Sequence, residues 1–139
     1  MRDLRLSKPP VIAIVDDDEA VREALFDLLL VEGLSARMFD SAVSFLADGE
    51  AGDFDCLVTD VRMPEIDGIE LQRRLRVRGS AMPVIFITSL TDETLRARAL
   101  LDGASAWLIK PATDEELLRE LRSALDRGGM NGAPEPMVL

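Results

Sequence analysis

The chain contains no histidine, no tyrosine, one cysteine and only two lysines among its 16 cationic residues. Without histidine it cannot form a Ser-His-Asp triad, an imidazole general base or a histidine-rich metal site. A single cysteine excludes an intramolecular disulfide, and Cys56 begins an apolar run, which favours a buried thiol over a reactive one. Any polar chemistry must therefore use carboxylate, hydroxyl and amine groups.

Long apolar segments and an excess of positive charge are also missing. No apolar run approaches the ~18–20 residues that span a bilayer, and residues 1–10 have no apolar stretch typical of a secretory signal. The net charge of −10 argues against direct contact with nucleic acid, which requires clustered lysine and arginine. We therefore expect a cytoplasmic domain that contacts neither membrane nor nucleic acid.

The residues that are present indicate one α/β domain. A chain of 139 residues can bury a single core, and 47% apolar with 30% charged residues is typical of a globular protein. Five short apolar runs alternate with amphipathic segments, which is the pattern of βαβ units around a parallel sheet. The predicted strands are residues 11–16, 34–39, 56–60, 83–88 and 106–110, with the second at an edge.

Helices are predicted between and after these strands. Their expected ranges are residues 19–32, 41–48, 67–78, 92–102 and 114–127. Two of them start with a capping pattern, Asp67 with Glu70 and Thr113 with Glu116. We expect the domain to occupy residues 9–127. Residues 128–139, rich in glycine and proline, are predicted to form a flexible tail or the start of a linker.

Polar residues stand where the predicted strands end. Asp16 and Asp17 end the first strand, Asp60 the third, Thr88 the fourth and Lys110 the fifth. In a parallel α/β sheet all carboxyl ends of strands lie at one edge, where ligands bind. Topology alone therefore predicts that three carboxylates, a hydroxyl and an ammonium group come together.

This set of groups indicates metal-assisted phosphoryl chemistry. Clustered carboxylates repel one another, and Mg²⁺, which prefers oxygen ligands and retains waters, relieves the repulsion in an open site. Beside the metal, one aspartate can attack phosphorus and form an acyl phosphate. Lys110 and Thr88 would then contact the phosphoryl oxygens.

Four segments carry a resemblance to a known family: VDDDEAVR at 15–22, DVRMPEIDG at 60–68, PVIFITS at 83–89 and AWLIKP at 106–111. In this order they resemble the receiver domains of two-component response regulators, in particular those of nitrogen-fixation-type regulators. The resemblance covers residues 11–127. It implies a flavodoxin-like α/β fold, a doubly wound five-stranded parallel sheet of order 2-1-3-4-5 with five helices.

The resemblance also implies roles for individual residues. Asp60 corresponds to the phosphoacceptor, Asp17 to a direct Mg²⁺ ligand and Asp16 to its outer or water-mediated partner. The main-chain carbonyl of Arg62 corresponds to a further metal ligand, which leaves Asp18 without a chemical role and suited to cap a helix.

Three further positions match the family's switch and its conserved loop. Thr88 corresponds to the switch hydroxyl and Lys110 to the phosphoryl partner. Trp107 matches the position of a rotating aromatic residue, although a core role is an equally good interpretation. The bond between Lys110 and Pro111 is expected to be cis.

Partners follow from the same resemblance. Because the chain has no histidine, a sensor histidine kinase or a histidine phosphotransfer protein must present the phosphohistidine. Phosphorylation should repack the surface formed by helix four, strand five and helix five, and so signal to a downstream protein or an output domain. Homodimers could form through that surface or through helices one and five. The chain is expected to modify only itself, as a stand-alone receiver or as part of a longer regulator.

Two other hypotheses belong to different functional classes. A haloacid-dehalogenase-like phosphatase also combines aspartate, Mg²⁺, threonine and lysine, but its nucleophile lies in the first strand, whereas here the acidic pair comes first. Multiple turnover on phosphate monoesters would favour it. A receiver-like fold that acts as a constitutive interaction module would bind neither phosphoryl group nor Mg²⁺.

Overall fold

The computed structural model describes residues 9–48 and 51–129. Five strands alternate with five helices, and a short 3-10 turn at Ala51–Asp53 precedes the third strand. The strands are β1 (Val11–Val15), β2 (Ser35–Phe39), β3 (Cys56–Thr59), β4 (Val84–Thr88) and β5 (Ala106–Ile109). The helices are α1 (Glu19–Val31), α2 (Ala42–Asp48), α3 (Gly68–Val77), α4 (Glu93–Leu101) and α5 (Asp114–Gly129).

All five strands form one parallel sheet of order β2-β1-β3-β4-β5, as predicted, with β2 at an edge. The central strands β3 and β4 are buried along their whole length, which explains why their sequences are continuous apolar runs. Cys56 is fully buried, also as predicted, and burial raises the pKa of its thiol to about 12. It behaves as a small core residue.

Helices cover both faces of the sheet, each over its own apolar cluster. Residues of α2, α3 and α4 pack on one face, with Val15, Leu57 and Phe86 from the strands. Helices α1 and α5 pack on the other, with Ile14 and Val58. Val31, in the last turn of α1, lies outside the buried face of the helix and is 81% exposed.

Capping residues fix where the helices begin. At α5 the Thr113 hydroxyl accepts the Glu116 N–H (3.0 Å) and the Glu116 carboxylate accepts the Thr113 N–H (2.9 Å), a complete capping box. At α3 only half of the predicted box forms. Asp67 accepts the Glu70 N–H at 2.8 Å, but the Glu70 side chain pairs with arginines one turn further along the helix.

The element bounds differ slightly from the predicted ones. Predicted strands one, three and five run one residue too far, since Asp16, Asp60 and Lys110 follow their strands. Helix α5 continues to Gly129, and the rest of the predicted tail, residues 130–139, lies outside the described residues.

Within the described ranges, no helix combines the length and apolar character needed to cross a membrane.

The C-terminal end of α3 is joined to that of α4 by two side chains that sequence reasoning did not single out. Arg76 donates to the carbonyl oxygens of Asp102 (2.7 Å), Met82 (2.8 Å) and Ser80 (3.1 Å). Gln72, fully buried, donates to those of Ala99 (3.2 Å) and Asp102 (3.3 Å). These bonds give donors to the Asp102 carbonyl, which follows the last residue of α4, and to loop carbonyls before β4, and they add a second donor at Ala99.

Candidate functional site

The acidic residues at the carboxyl ends of the strands converge as their positions predict. Asp16 and Asp17 follow β1 and Asp60 follows β3, and β1 and β3 are neighbours in the sheet. One carboxylate oxygen from each of the three lies within 4.8 Å of the others. Their exposure differs, because Asp16 is buried, Asp60 half-buried and Asp17 exposed.

Lys110 joins this acidic cluster from the end of β5. Its Nζ lies 2.9 Å from Oδ2 of Asp60 and 3.6 Å from Oδ2 of Asp16. Burial lowers the pKa of Lys110, but its hydrogen bond to Asp60 and the negative charges of Asp16 and Asp60 outweigh that effect, so the net shift is upward. The ammonium group therefore stays protonated at neutral pH and bridges the two carboxylates.

Asp16 is the buried member of the cluster, with 3% of its surface exposed. Burial raises its pKa, and nearby Asp60 and Asp17 add to the rise, while the Asp18 N–H (2.9 Å from Oδ1) and Lys110 oppose it. On the main-chain side, Nη1 of Arg22 donates to the Asp16 carbonyl oxygen at 2.8 Å. A buried carboxylate with an elevated pKa, next to two others, is a site where a cation would be stabilised.

Asp60 is held by contacts to all its polar atoms. Its N–H donates to the Val15 carbonyl (3.2 Å), and its carbonyl accepts the Thr59 hydroxyl (2.9 Å). In the side chain, Oδ1 accepts the Val61 N–H at 2.6 Å, while Oδ2 accepts Lys110. The carboxylate is therefore held in one orientation before any ligand binds.

The loop from Asp60 to α3 packs closely against the site. Gly68 donates its N–H to the Val61 carbonyl at 2.7 Å, and a Cβ added to Gly68 would overlap the Asp60 carbonyl oxygen. Glu65 has a positive φ of 71°, which is unusual for a residue with a side chain. Only glycine can occupy position 68 without displacing Asp60.

An open groove of about 520 Å³ leads to the cluster. Asp17, Arg62 and Leu90 are among the residues that line it. The donor set fits a Mg²⁺ ion, because three carboxylates lie close together and Asp17 faces the groove, which Arg62 also lines. Asp17, Asp60 and the Arg62 carbonyl would hold the ion directly, with Asp16 as an outer partner.

Thr88 and Trp107 lie on the neighbouring strands β4 and β5, and among the described residues neither side chain contacts the carboxylates of the acidic cluster. Thr88 is buried at the end of β4, and its hydroxyl oxygen accepts the Leu90 N–H at 3.1 Å. Trp107 is half-buried opposite Phe86, with ring centroids 5.4 Å apart. Its indole N–H is buried without a hydrogen-bond acceptor among the described residues.

The segment after β5 contains the remaining residues that the sequence singled out. The peptide bond between Lys110 and Pro111 is cis. Ala112 follows the proline and packs, partly buried, against the apolar cluster below α1 and α5. The small side chain is thus accommodated within the core of that face.

Sequence reasoning missed the residues that support the site. Thr59, Gly68 and Arg22 hold the main chain of Asp60 and Asp16 but stand in strands, turns and helices where such residues are common. One signal was present, since Asp67-Gly68 starts a helix only eight residues after Asp60. Neither the hydroxyl of Thr59 nor the guanidinium of Arg22 has a recognisable pattern in the sequence.

Comparisons with known proteins agree with this geometry. A family model described as "Response regulator receiver domain" matches residues 12–122. The chain is 41% identical over 128 residues to the response regulator protein TodT of Pseudomonas putida, covering 92% of this chain and 56% of TodT. It is also 41% identical over 124 residues to the transcriptional regulatory protein FixJ of Azorhizobium caulinodans, covering 89% of this chain and 59% of FixJ.

Solved structures give the same result. The structure of the response regulator StyR superposes with a TM-score of 0.83 at 36% identity, over 89% of this chain and 63% of that one. The chain thus spans a little more than half the length of the two curated relatives. The expected relation to nitrogen-fixation-type regulators is confirmed, and the chain belongs to the family of response regulator receiver domains.

Proposed function

We propose that this domain is a phosphorelay switch that accepts a phosphoryl group on Asp60. The observation that carries the proposal is the contact between the Lys110 ammonium group and Oδ2 of Asp60, 2.9 Å long, at the centre of the acidic cluster. The pair holds the Asp60 carboxylate close to Asp17, which lines the groove. It also provides a cation ready to contact a phosphoryl oxygen.

The transfer is a displacement at phosphorus. A carboxylate oxygen of Asp60 forms a bond to phosphorus, and the nitrogen of the partner's phosphohistidine takes the electron pair of the broken P–N bond. Lys110 and the Thr88 hydroxyl contact the transferred oxygens. A bound Mg²⁺ ion would neutralise charge on the carboxylates and the phosphoryl oxygens.

The donor is a sensor histidine kinase or a histidine phosphotransfer protein, since this chain contains no histidine. A second groove, of about 480 Å³, opens beside Lys110 between α1 and the start of α5. Its lining includes Val21, Leu25 and Leu28 of α1, and its position next to the acidic cluster suits a partner that must reach Asp60. We assign the donor to this face.

The switch is proposed to run through Thr88 and Trp107. A phosphoryl group on Asp60 adds charge that attracts the Thr88 hydroxyl away from its contact with the Leu90 N–H. Trp107 is suited to respond because its buried indole N–H has no acceptor in the described structure, and a buried donor without a partner costs about 1–3 kcal/mol. A second arrangement that satisfies this group is therefore energetically accessible, and it would alter the α4-β5-α5 surface.

The phosphoacceptor is tested by intact-mass measurement after incubation with acetyl phosphate and Mg²⁺. The wild type should gain one phosphoryl group and Asp60→Asn none. Asp40→Asn is a matched control, because Asp40 is an exposed aspartate that follows β2 at the same edge of the sheet. Equal labelling of the wild type and Asp60→Asn would show that another residue is the acceptor.

The switch is tested by Trp107 fluorescence and by amide exchange of α4 with beryllofluoride and Mg²⁺. Both should change in the wild type and stay constant in Asp60→Asn. If neither responds in the wild type while mass spectrometry shows the aspartyl phosphate, the domain is phosphorylated without this conformational change.

The remaining expectations belong to the same proposal. We propose that residues 9–127 act in the cytoplasm as the receiver unit, that the chain modifies only itself, and that its output is a partner protein or a further domain. Homodimerisation through α4-β5-α5 or through α1 and α5 is one route to that output. Multiple turnover on small phosphate monoesters would instead reveal a phosphatase.

A further inference from the structure

We propose that Thr59 is a positioning residue that aims the carboxylate of Asp60. Three of the four polar atoms of Asp60 bind main-chain groups or Lys110, as described above. The fourth, the carbonyl oxygen, accepts the Thr59 hydroxyl at 2.9 Å. Thr59 has no part in the proposed phosphoryl transfer, so this contact calls for a separate explanation.

The environment of Thr59 makes its hydroxyl unusual. Thr59 is the last residue of β3 and is 1% exposed, paired with Val15 on one side and Phe86 on the other. Val15 and Phe86 belong to the apolar cluster under α2, α3 and α4. A buried hydroxyl in such surroundings is unfavourable unless it is hydrogen-bonded, and valine would fill the same volume.

The backbone partner of this hydroxyl lies just beyond the sheet. The paired register of β3 with β4 ends at Thr59 and Phe86, one residue before Asp60. The Asp60 carbonyl oxygen is thus at the point where pairing with the neighbouring strand stops. The Thr59 hydroxyl supplies a donor there, and Gly68 closes the other side of the carbonyl.

The geometry of the peptide bond transmits this contact to the carboxylate. The carbonyl of Asp60 and the N–H of Val61 belong to one planar peptide unit, so fixing one fixes the other. The Val61 N–H in turn donates to Oδ1 of Asp60 at 2.6 Å. The Thr59 hydroxyl therefore sets the orientation of Oδ1, and of the main chain that leads to the Arg62 carbonyl.

The inference rests on the proposed function and is tested by three variants. Thr59→Val removes the hydroxyl at nearly constant volume, whereas Thr59→Ser keeps the hydroxyl and removes the methyl group. Ile85→Val is the stability control, because it removes one methyl group from buried β4 on the opposite face of the sheet. Each variant is compared with the wild type by urea unfolding, Mg²⁺ titration calorimetry and the labelling rate with acetyl phosphate.

We expect Thr59→Val to bind Mg²⁺ about tenfold more weakly, a typical effect of losing a residue that orients metal ligands. Its labelling rate at saturating Mg²⁺ should also fall about tenfold, because the nucleophile is misaligned. Thr59→Ser should restore both to near the wild-type values. Ile85→Val should change neither, even where it lowers stability as much as Thr59→Val does.

The inference would be overturned if Thr59→Val kept the labelling rate and the Mg²⁺ affinity of the wild type. It would also be overturned if Thr59→Ser were as impaired as Thr59→Val. If the wild type takes no label, the proposed function fails and the Mg²⁺ affinities alone decide the role of Thr59. Should Thr59→Val not fold, Thr59→Ala and Thr59→Ser make the same comparison between absent and present hydroxyl.

Discussion

Three consecutive aspartates have three different environments in this domain. Asp16 is buried and contacts Lys110, Asp17 is exposed in the groove, and Asp18 caps α1 by accepting the N–H groups of Ala20 (2.9 Å) and Val21 (3.3 Å). The turn after β1 separates them, because the chain leaves the sheet at Asp16 and enters the helix at Glu19. Identical side chains therefore have different surroundings according to position: Asp16 forms an ion pair, Asp17 is available for the proposed metal ion, and Asp18 caps a helix.

The cap at Asp18 gives a prediction about stability alone. Asp18→Ala should lower the free energy of unfolding by about 1 kcal/mol, because the first turn of α1 loses its acceptor. Urea unfolding measures the loss, and Asp18→Ser should recover most of it. Labelling of Asp60 should persist in both variants. A protein that folds normally but no longer takes label would instead place Asp18 in the site.

Asp16 gives a prediction about pH. Because burial raises its pKa above the ordinary 3.8, the protonated form favours folding. That contribution is present below the ordinary pKa and is lost as the pH rises through the raised value. Without Mg²⁺ at neutral pH, Asp16→Asn should therefore raise the melting temperature by a few degrees, since about 1 kcal/mol corresponds to roughly 3–6 °C for a domain of this size.

The control for this prediction is to compare the melting temperatures of the wild type and Asp16→Asn at acidic pH. Below about pH 3.8 the wild-type carboxyl is protonated as well, so the difference in melting temperature should shrink. A difference that does not vary with pH would mean that packing, and not charge, separates the two proteins. Mg²⁺ affinity should fall at neutral pH, which makes Asp16 an example of function opposing stability.

Among individual residues, the sequence predicted the polar groups at the strand ends and missed the residues that position them. Asp16, Asp17, Asp60, Thr88 and Lys110 could be identified because strand ends meet at one edge of a parallel sheet. Thr59 and Arg22 act on main-chain carbonyls. Any residue can present a carbonyl group, so these contacts depend on the exact path of the loops and leave no pattern in the sequence.

Among the secondary-structure elements, α3 connects the site to the surface that is proposed to change. Its first residue, Gly68, packs against the Asp60 carbonyl oxygen. Its last turns reach α4 through Gln72 and Arg76. Of the residues in α4, only Ala99 is buried and Leu95 packs partly against the same apolar cluster, so these polar contacts add to a limited apolar contact. Movement of α4 is therefore expected at its N-terminal end, beside Thr88 and Leu90.

The N-terminal contact of α3 is tested by adding one methyl group. Gly68→Ala should lower the free energy of unfolding by about 1–3 kcal/mol, because the Cβ overlaps the Asp60 carbonyl oxygen and crowds Phe86. Labelling of Asp60 should slow as well. Gly52→Ala, in the 3-10 turn with no atom within 4 Å of the new Cβ, should stay within about 0.5 kcal/mol of the wild type. Equal losses in the two variants would refute the contact.

The C-terminal contact of α3 is tested by removing the guanidinium group. Arg76→Met should lower the free energy of unfolding by about 2 kcal/mol, because several carbonyl oxygens lose a charged donor. Amide exchange at residues 99–104 should accelerate. Arg78→Met, at an exposed position two residues further on, is the matched control and should leave exchange at α4 unchanged. The assignment fails if the two variants behave alike.

The elements themselves were largely predictable, and their ends were less so. Within the described residues the predicted strands and helices agree with the observed ones to within about two residues, while the extra turn at Ala51–Asp53 escaped because three residues are too few to show a period. At α3 the pairing of Glu70 with Arg73 and Arg74, which lowers the pKa of Glu70 to about 2, replaced the predicted second half of the capping box. Competition between nearby partners decides such details.

For the molecule as a whole, the acidic cluster combines with a net charge of −10 to oppose folding in the absence of a counterion. Mg²⁺ should bind the folded domain in preference to the unfolded chain, which lacks the converged carboxylates. Binding of that kind raises the free energy of unfolding by about 2.7 kcal/mol at a concentration 100 times the dissociation constant. We therefore expect Mg²⁺ to raise the melting temperature well above that in NaCl of equal ionic strength.

Asp17→Asn is the control for this effect, because it removes the proposed groove-facing metal ligand, an exposed carboxylate that contributes little to stability. Its melting temperature should respond to Mg²⁺ and to NaCl alike. A gain from Mg²⁺ as large as that of the wild type would place the ion elsewhere on the acidic surface.

The contact between Asp60 and Lys110 joins two residues that are 50 positions apart in the chain. During synthesis Asp60, the proposed phosphoacceptor, leaves the ribosome well before the lysine that partners it, and β5 must then join the sheet at its edge. A kinase that requires both groups would pass over chains whose last strand has not docked. Phosphorylation would then occur only on chains that have completed folding. Incompletely folded chains would be excluded from signalling by the same contact that supports the chemistry.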